Sequence, residues 1–393
     1  MKKQIYTLAM LCSLSLPALA QSGIDNVLKS IENNNKTLKA SQQLNESQKL
    51  EAKVGNFLPN PTVELNQLWA DKSVGGNANE LAVVKSFDFP TVYFSKKKLT
   101  KTKVEASDYL YATARQQILL KAQLVCHEII YLRQQQNLLN NRQRNAALLA
   151  SLYKQRYDNG DANQLEYNKI VLEKINTDNA SRRNQAALNA QLKQLQALNG
   201  GSDINFSDTK FSNLPNLPAF AELENEYISN DPNLKNLSTT AKSAQQSIKV
   251  SRALSLPKFD IGYRHNGGSG EKMNGFRIGM SIPLWENRNT VKQAKAQAEY
   301  TAINLEDNKQ TVKATIQDLY LQAEALHISC TEYAKTLSLQ RNEEILNKAL
   351  EAGQISMIDY FVEIALLYDS IQNYLEVEKE YHNIVAQLMQ YKL

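Results

Sequence analysis

The sequence predicts a mainly α-helical chain, built as a duplication, with two short β-hairpins set between long helices. Three observations predict it. Glycine and proline are sparse, at 14 and 9 of 393 residues, and an interior glycine costs a helix roughly 1 kcal/mol against alanine. Landmark residues recur at one fixed offset. Heptad patterning runs for most of the chain and gives way to strict alternation in only four short stretches.

The offset comes first. Pro90 closes ELAVVKSFDFP and Pro283 closes FRIGMSIP, 193 residues apart, and Gly160 and Gly353 are also 193 apart. Pro59 and Pro257 are 198 apart, so five extra residues fall between landmarks. Such an offset marks an internal repeat, far longer than any solenoid period. The stretch from Asn199 to Phe220, NGGSDINFSDTKFSNLPNLPAF, is rich in Gly, Asn, Ser and Pro and reads as a connector. The expected organisation is a first repeat over 21–200, a connector over 201–220 and a second repeat over 221–393.

Between each proline and its glycine the pattern is helical. Stepping by seven from Val104 meets Tyr111, Ile118, Val125, Leu132, Leu139, Ala146 and Tyr153. The second repeat does the same through Val291, Ala298, Leu305, Val312, Leu319, Leu326 and Tyr333. A period of 3.5 held this long predicts a coiled-coil seam and rods on the order of 100 Å. Long helices are expected over 91–159 and 285–352, and return helices over 161–198 and 356–391. Gly160 and Gly353 would be the hairpin tips, since glycine readily takes the left-handed conformation that ends a helix.

Period-two alternation predicts strands over 61–71, 79–90, 257–266 and 274–284. One face carries Val63, Leu65 and Trp69, then Leu81, Val83 and Phe87, then Phe259, Ile261 and Tyr263, then Phe276, Ile278, Met280 and Ile282. The strand length suits a tilted strand crossing a bilayer, with these residues facing lipid. The same stretches also fit a soluble two-hairpin sheet, and Lys85, in the apolar register, favours that alternative. Four strands cannot close a membrane barrel, whose smallest closed form has about 8, and open edges are not tolerated in hydrocarbon. In a membrane, several copies would therefore share one barrel.

Lys2 and Lys3 precede an apolar stretch from Ile5 to Leu19 that ends Ala18-Leu19-Ala20, so residues 1–20 read as a secretory signal. Cys12 follows Met10-Leu11, which does not suit a lipoprotein acceptor. Net charge is +5, and losing Lys2 and Lys3 would leave +3, too small to indicate nucleic acid. Cys126 lies beside His127, and Cys330 is three residues after His327. Both thiols sit in helical patterns, and Cys330, on the apolar seam, reads as buried and structural. If the rods start level, their offset is about 16 Å along the axis, beyond the ~7 Å reach of a disulfide. GGSGEKMNG joins two strands and is no phosphate loop, and HExxH, GxSxG and Walker patterns are absent. No enzyme, metal site or cofactor is expected.

Taken together, these residues resemble the TolC family of outer membrane efflux proteins. The tip carries the most specific motif: Ala352-Gly353-Gln354-Ile355-Ser356, then Asp359. The first-repeat tip, Asn159-Gly160-Asp161-Ala162-Asn163 and then Glu166, departs from it with Asn at the small-apolar and Ser/Thr positions. The resemblance implies a mainly α fold with a small membrane β-barrel: a homotrimer with a 12-strand barrel in the outer membrane of a Gram-negative bacterium and a helical tunnel in the periplasm. It implies an exit duct for an inner-membrane pump of the RND type, with tips around Gly160, Asp161, Gly353, Ile355 and Ser356 docking on a periplasmic adaptor (membrane fusion) protein. It further implies a gating or selectivity ring of acidic residues at Asp359, with Glu166 as its first-repeat counterpart. A carboxylate at either position also suits the N-terminal end of a helix dipole. The short chain and its hairpin size are similar to the cation-efflux branch of the family. The rival reading is a periplasmic coiled-coil adaptor or spacer without a barrel, which would not need membrane-length strands.

Overall fold

The structure, a computed structural model, describes residues 23–69, 76–211, 213, 215–268, 271–338 and 342–393. The expected signal sequence lies outside them. The order is α1 (Gly23–Asn34), α2 (Lys36–Lys53), β1 (Thr62–Leu68), β2 (Ala78–Phe87), α3 (Pro90–Asp158) and α4 (Gln164–Leu198). It continues with α5 (Phe220–Asn230), α6 (Pro232–Leu254), β3 (Lys258–Gly268), β4 (Glu271–Ser281), α7 (Thr290–Ser338), α8 (Asn342–Glu351) and α9 (Met357–Leu388). Both halves open with a helix pair, pass through a β-hairpin, run down a long helical path and return.

The opening helix pairs were not predicted, because each is short and broken by a polar cap. Asn35 separates α1 from α2. Its Oδ1 accepts from the Leu38 amide at 2.9 Å, and its Nδ2 donates to the Leu198 carbonyl at 2.6 Å. Asp231 does the same between α5 and α6, accepting from the Leu234 amide at 2.9 Å with Pro232 at the first helical position. The α1–α2 break rests directly on Gly200, where φ is +69° and an added Cβ would lie 2.3 Å from the Asn34 carbonyl oxygen. Only glycine meets both conditions.

α3 is the central element, with α1, α2, α4, α6 and α9 packed against it. Val27 and Ile31 of α1 join Cys126, Ile129 and Ile130 of α3, Leu195 of α4 and Phe206 of the connector in one core. The second repeat mirrors this with Leu223 and Tyr227 of α5 against Ile316, Ala323 and Cys330 of α7 and Leu388 of α9. Both cysteines are buried and free, and burial pushes Cys126 up to about 12 and Cys330 to about 11. α7 begins at Thr290, not at the expected 285, because residues 285–289 form a turn in which Asn289 has φ +71°. Of the described helices, none is long and apolar enough to cross a membrane.

The four strands form one antiparallel sheet in the order β1-β2-β3-β4. Its register is unbroken, with Val63 opposite Val83, Val83 opposite Tyr263, and Tyr263 opposite Phe276. Hairpins from the two repeats thus become neighbours, leaving β1 and β4 as open edges.

Where the connector meets α3 and α9, two histidines are buried together. The His127 and His382 rings lie 5.8 Å apart, and Phe211 stacks on His382 at 4.4 Å. His127 Nδ1 sits 2.9 Å from Asn383 Oδ1, whereas among the described residues His382 Nε2 has no partner. Asp25, Asp208, Lys210 and Lys392 line the same space. Burial lowers both histidines to about 4. They stay neutral in the fold while the unfolded chain takes up protons near 6.5, so stability is complete above that pH and falls as pH drops toward 4. Chemical denaturation at pH 7 and pH 4.5 should differ by a few kcal/mol, roughly. His382→Phe, which keeps the stacked ring, should remove about half of that dependence and leave the share of His127.

Candidate functional site

The sheet has two chemically opposite faces. One carries the rows Phe87–Phe259–Met280, Lys85–Ile261–Ile278, Val63–Val83–Tyr263–Phe276 and Leu65–Leu81–His265. None of the described residues covers it: Phe276 is 89% exposed, Ile278 83% and Leu65 74%. Phe87 and Phe259, nearest the helices, are half-buried. From Phe87 to Leu81 the band is about 20 Å tall, and Asn274 closes it at the far end. There Asn274 Oδ1 accepts from the Tyr263 hydroxyl at 2.8 Å and lies 2.6 Å from His265 Nδ1. Trp69 and Ile282 are exposed but sit just past β1 and β4, not within them.

The other face is polar. Arg264 pairs with Glu80 at 2.7 Å, and the Ser86 hydroxyl donates to Asp260 at 2.5 Å. Lys85 needs no bulge to fit the apolar face. Its stem stays in register while its ammonium reaches back to donate to the Pro59 carbonyl, just ahead of β1. A long cationic side chain lies along apolar surface in this way with its head in a polar layer. Sequence reasoning missed the aromatic residues flanking the strands on the helix side. Phe57, Phe94 and Trp285 are 81%, 70% and 78% exposed, and their placement just outside the alternating runs was the available signal.

At the other end of the helices both tips are Schellman turns. Gly160 has φ +83° and donates to Tyr157, while Asp161 donates to Arg156 at 2.7 Å. Gly353 has φ +67° and donates to Leu350, while Gln354 donates to Ala349 at 2.8 Å. Each return helix then opens with a capping box. Asn163 Oδ1 accepts from the Glu166 amide at 2.9 Å, and Glu166 accepts from the Asn163 amide at 3.1 Å. Ser356 Oγ accepts from the Asp359 amide at 3.1 Å and donates to the Asp359 carboxylate at 2.6 Å. The Asn that replaces Ser/Thr in the first tip therefore performs the same cap. Asp161, Ser356 and Asp359 are exposed, and Glu166 and Ile355 are half-buried.

One core brings the two tips together: Tyr153 of α3, Ile170 of α4, Leu350 of α8, and Met357 and Tyr360 of α9. A polar network crosses it. The Asn145 amide donates to the Tyr360 hydroxyl at 2.6 Å, which donates to Asn347 at 2.8 Å. Beside it Arg142 bonds Glu173 at 2.7 Å and lies 5.3 Å over the Tyr368 ring. Outside this core, α4 exposes Leu165 and Leu172, and α9 exposes Ile358, Val362 and Leu366 at helical spacing.

A duplicated helical hairpin body joined to one apolar-faced four-stranded sheet is the TolC-type fold. Residues 223–391 match the outer membrane efflux protein family. The family match is confined to the second repeat, and the fold of the whole is similar to that of solved outer membrane channels. A membrane protein from Pseudomonas aeruginosa is similar, with TM-score 0.79 at 15% identity over 94% of this chain and 90% of that one. The Campylobacter jejuni CmeC outer membrane channel gives 0.72 at 14%, over 94% and 85%. The outer membrane protein VceC of Vibrio cholerae gives 0.76 at 11%, over 94% and 95%. At these identities the likeness carries the fold. No protein of curated function matches the sequence.

Two substitutions test the tip region. Tyr360→Phe removes an acceptor from buried Asn145 and should cost about 1–2 kcal/mol in chemical denaturation. Gly353→Ala meets no atom within 4 Å, so only its left-handed backbone opposes it. It should cost about 1–2 kcal/mol, seen as faster amide exchange confined to the tip.

Proposed function

We propose that this protein is the exit duct of a tripartite efflux system. Three copies would close a 12-strand barrel in the outer membrane, with the apolar face against lipid and the polar face lining the lumen. The carrying observation is the sheet itself: an uncovered apolar band, a polar opposite face and two open edges. Open edges cannot stand in hydrocarbon, so this sheet becomes a membrane wall only by joining other copies. The apolar residues left bare on α4 and α9 support the same assembly, since neighbouring copies would cover them.

The helices would form a tunnel on the periplasmic side. The tips at Gly160, Asp161, Gly353, Ile355 and Ser356 would meet an adaptor, and through it an inner-membrane pump of the RND type would supply the energy. The duct itself would carry out passive transport and no reaction. Three Asp359 carboxylates in a narrow ring would repel one another and attract cations, with Glu166 as a second, weaker contribution. Asp359 would then both start its helix and set the electrostatics of the mouth.

Membrane fractionation followed by mass determination in detergent tests the assembly, and outer-membrane particles of three protomers are expected. Soluble or monomeric material would sink the reading and favour an adaptor without a barrel. In planar bilayers, Asp359→Asn should lower cation selectivity and alter conductance. An unchanged selectivity would reduce Asp359 to a helix cap.

A further inference from the structure

We propose that an ion pair between Glu64 of one copy and Arg277 of the next fixes the order in which subunits join around the barrel. The inference rests on the shared-barrel reading above. β1 and β4 are the two edges of the sheet, and each carries one charged residue well inside its length on the polar face. On β1 that residue is Glu64, the only charge in TVELNQL. On β4 it is Arg277, since Glu271 and Lys272 lie at the strand's far end.

Both stand apart from the other charges of the sheet. Glu80 is paired with Arg264, Asp260 is bonded to Ser86, Lys258 lies 3.6 Å from Glu286, and Lys85 is bonded to Pro59. Among the described residues neither Glu64 nor Arg277 has an ion-pair or hydrogen-bond partner. Paired charges line the interior strands, and opposite unpaired charges stand at the two edges.

Register and space also agree. The row Thr62–Val84–Gly262–Arg277 runs across the sheet, so within one sheet Glu64 lies two residues from the row of Arg277, and the stagger that closes a tilted barrel sets the remaining offset between copies. Arg277 is bordered by Gly262 across the strand and by Gly275 and Gly279 along it, and an added Cβ at Gly275 would meet nothing within 4 Å. Its side chain can therefore reach sideways across the edge.

The pair also selects topology. If β4 of one copy meets β1 of the next, opposite charges approach, and such cross-strand pairs are stabilising. If like edges meet in a two-fold pair, Arg277 faces Arg277 or Glu64 faces Glu64, which is destabilising. Head-to-tail joining uses both edges of every copy and can close a ring, whereas a two-fold pair of like edges leaves the other edge of each copy open. The charges thus work both for the ring and against the like-edge pair.

The test uses the full chain expressed to membranes, with the trimer fraction read on gels after mild heating in detergent. Glu64→Arg and Arg277→Glu should each lower that fraction by about tenfold, and the double swap should bring it back to within about twofold of wild type. A second measurement does not depend on assembly of charge-reversed chains. The Glu64→Cys/Arg277→Cys variant should be joined into dimers and trimers by a short bis-maleimide cross-linker, whose spacer spans a diagonal pair that a direct disulfide would not reach, because the native Cys126 and Cys330 are buried. Wild-type trimers together with harmless single substitutions, an unrescued double swap, or no inter-copy cross-link would overturn the pairing while leaving the barrel standing. Wild-type protein that is soluble or monomeric would instead overturn the barrel reading.

Discussion

A helix can bury only the stripe that its period keeps on one side, and α3 meets this limit over 69 residues. Its seven-residue repeat keeps Val125, Leu132, Leu139, Ala146 and Tyr153 on the packed side. Small or polar residues such as Ser107, Thr113 and Ala122 are also buried on α3, which lets further helices approach closely. Five helices drawn from both repeats use it as a common support. The position of the sheet at one end and of both tips at the other follows from that rod, which sets their separation at on the order of 100 Å.

The long-range plan was legible because it was written as spacing. The 193-residue offset, the heptads and the two glycines each survive changes in the residues between them, and α3, α4, α9 and both tips lie where these cues point. The opening helix pairs were not legible. Asn35 and Asp231 are single polar residues whose capping role depends on partners, such as the Leu198 carbonyl, far along the chain. The start of α7 was misplaced for a similar reason, since left-handed Asn289 gives no periodic signal. Lys85 seemed to contradict its strand because alternation records where a side chain begins, not where its charge ends.

The two repeats solve one problem with different chemistry. Asn163 with Glu166, and Ser356 with Asp359, close the same capping box after the same turn. The first repeat has the longer carboxylate arm and the amide cap, and the second has the shorter arm and a hydroxyl that donates to the carboxylate. Asp359 is held by both the hydroxyl and the amide of Ser356, so changing it disturbs local folding as well as charge. A ring built from such a residue would be preorganised by its helix start, with its carboxylate direction set before any neighbour arrives.

The bond from Lys85 to the Pro59 carbonyl has a consequence for how the wall sits in its surroundings. It pins a cationic head near the helical end of the apolar band, while Asn274 with Tyr263 and His265 marks the other end. The sheet thus carries a depth gauge. Sliding outward by one row would draw an ammonium toward hydrocarbon, and sliding inward would submerge an imidazole and a carboxamide. Bilayers a few ångströms thicker or thinner would have to deform to meet these marks, at fractions of a kcal/mol per ångström. In the barrel proposed above, the thickness this wall would tolerate is therefore written in a few polar groups.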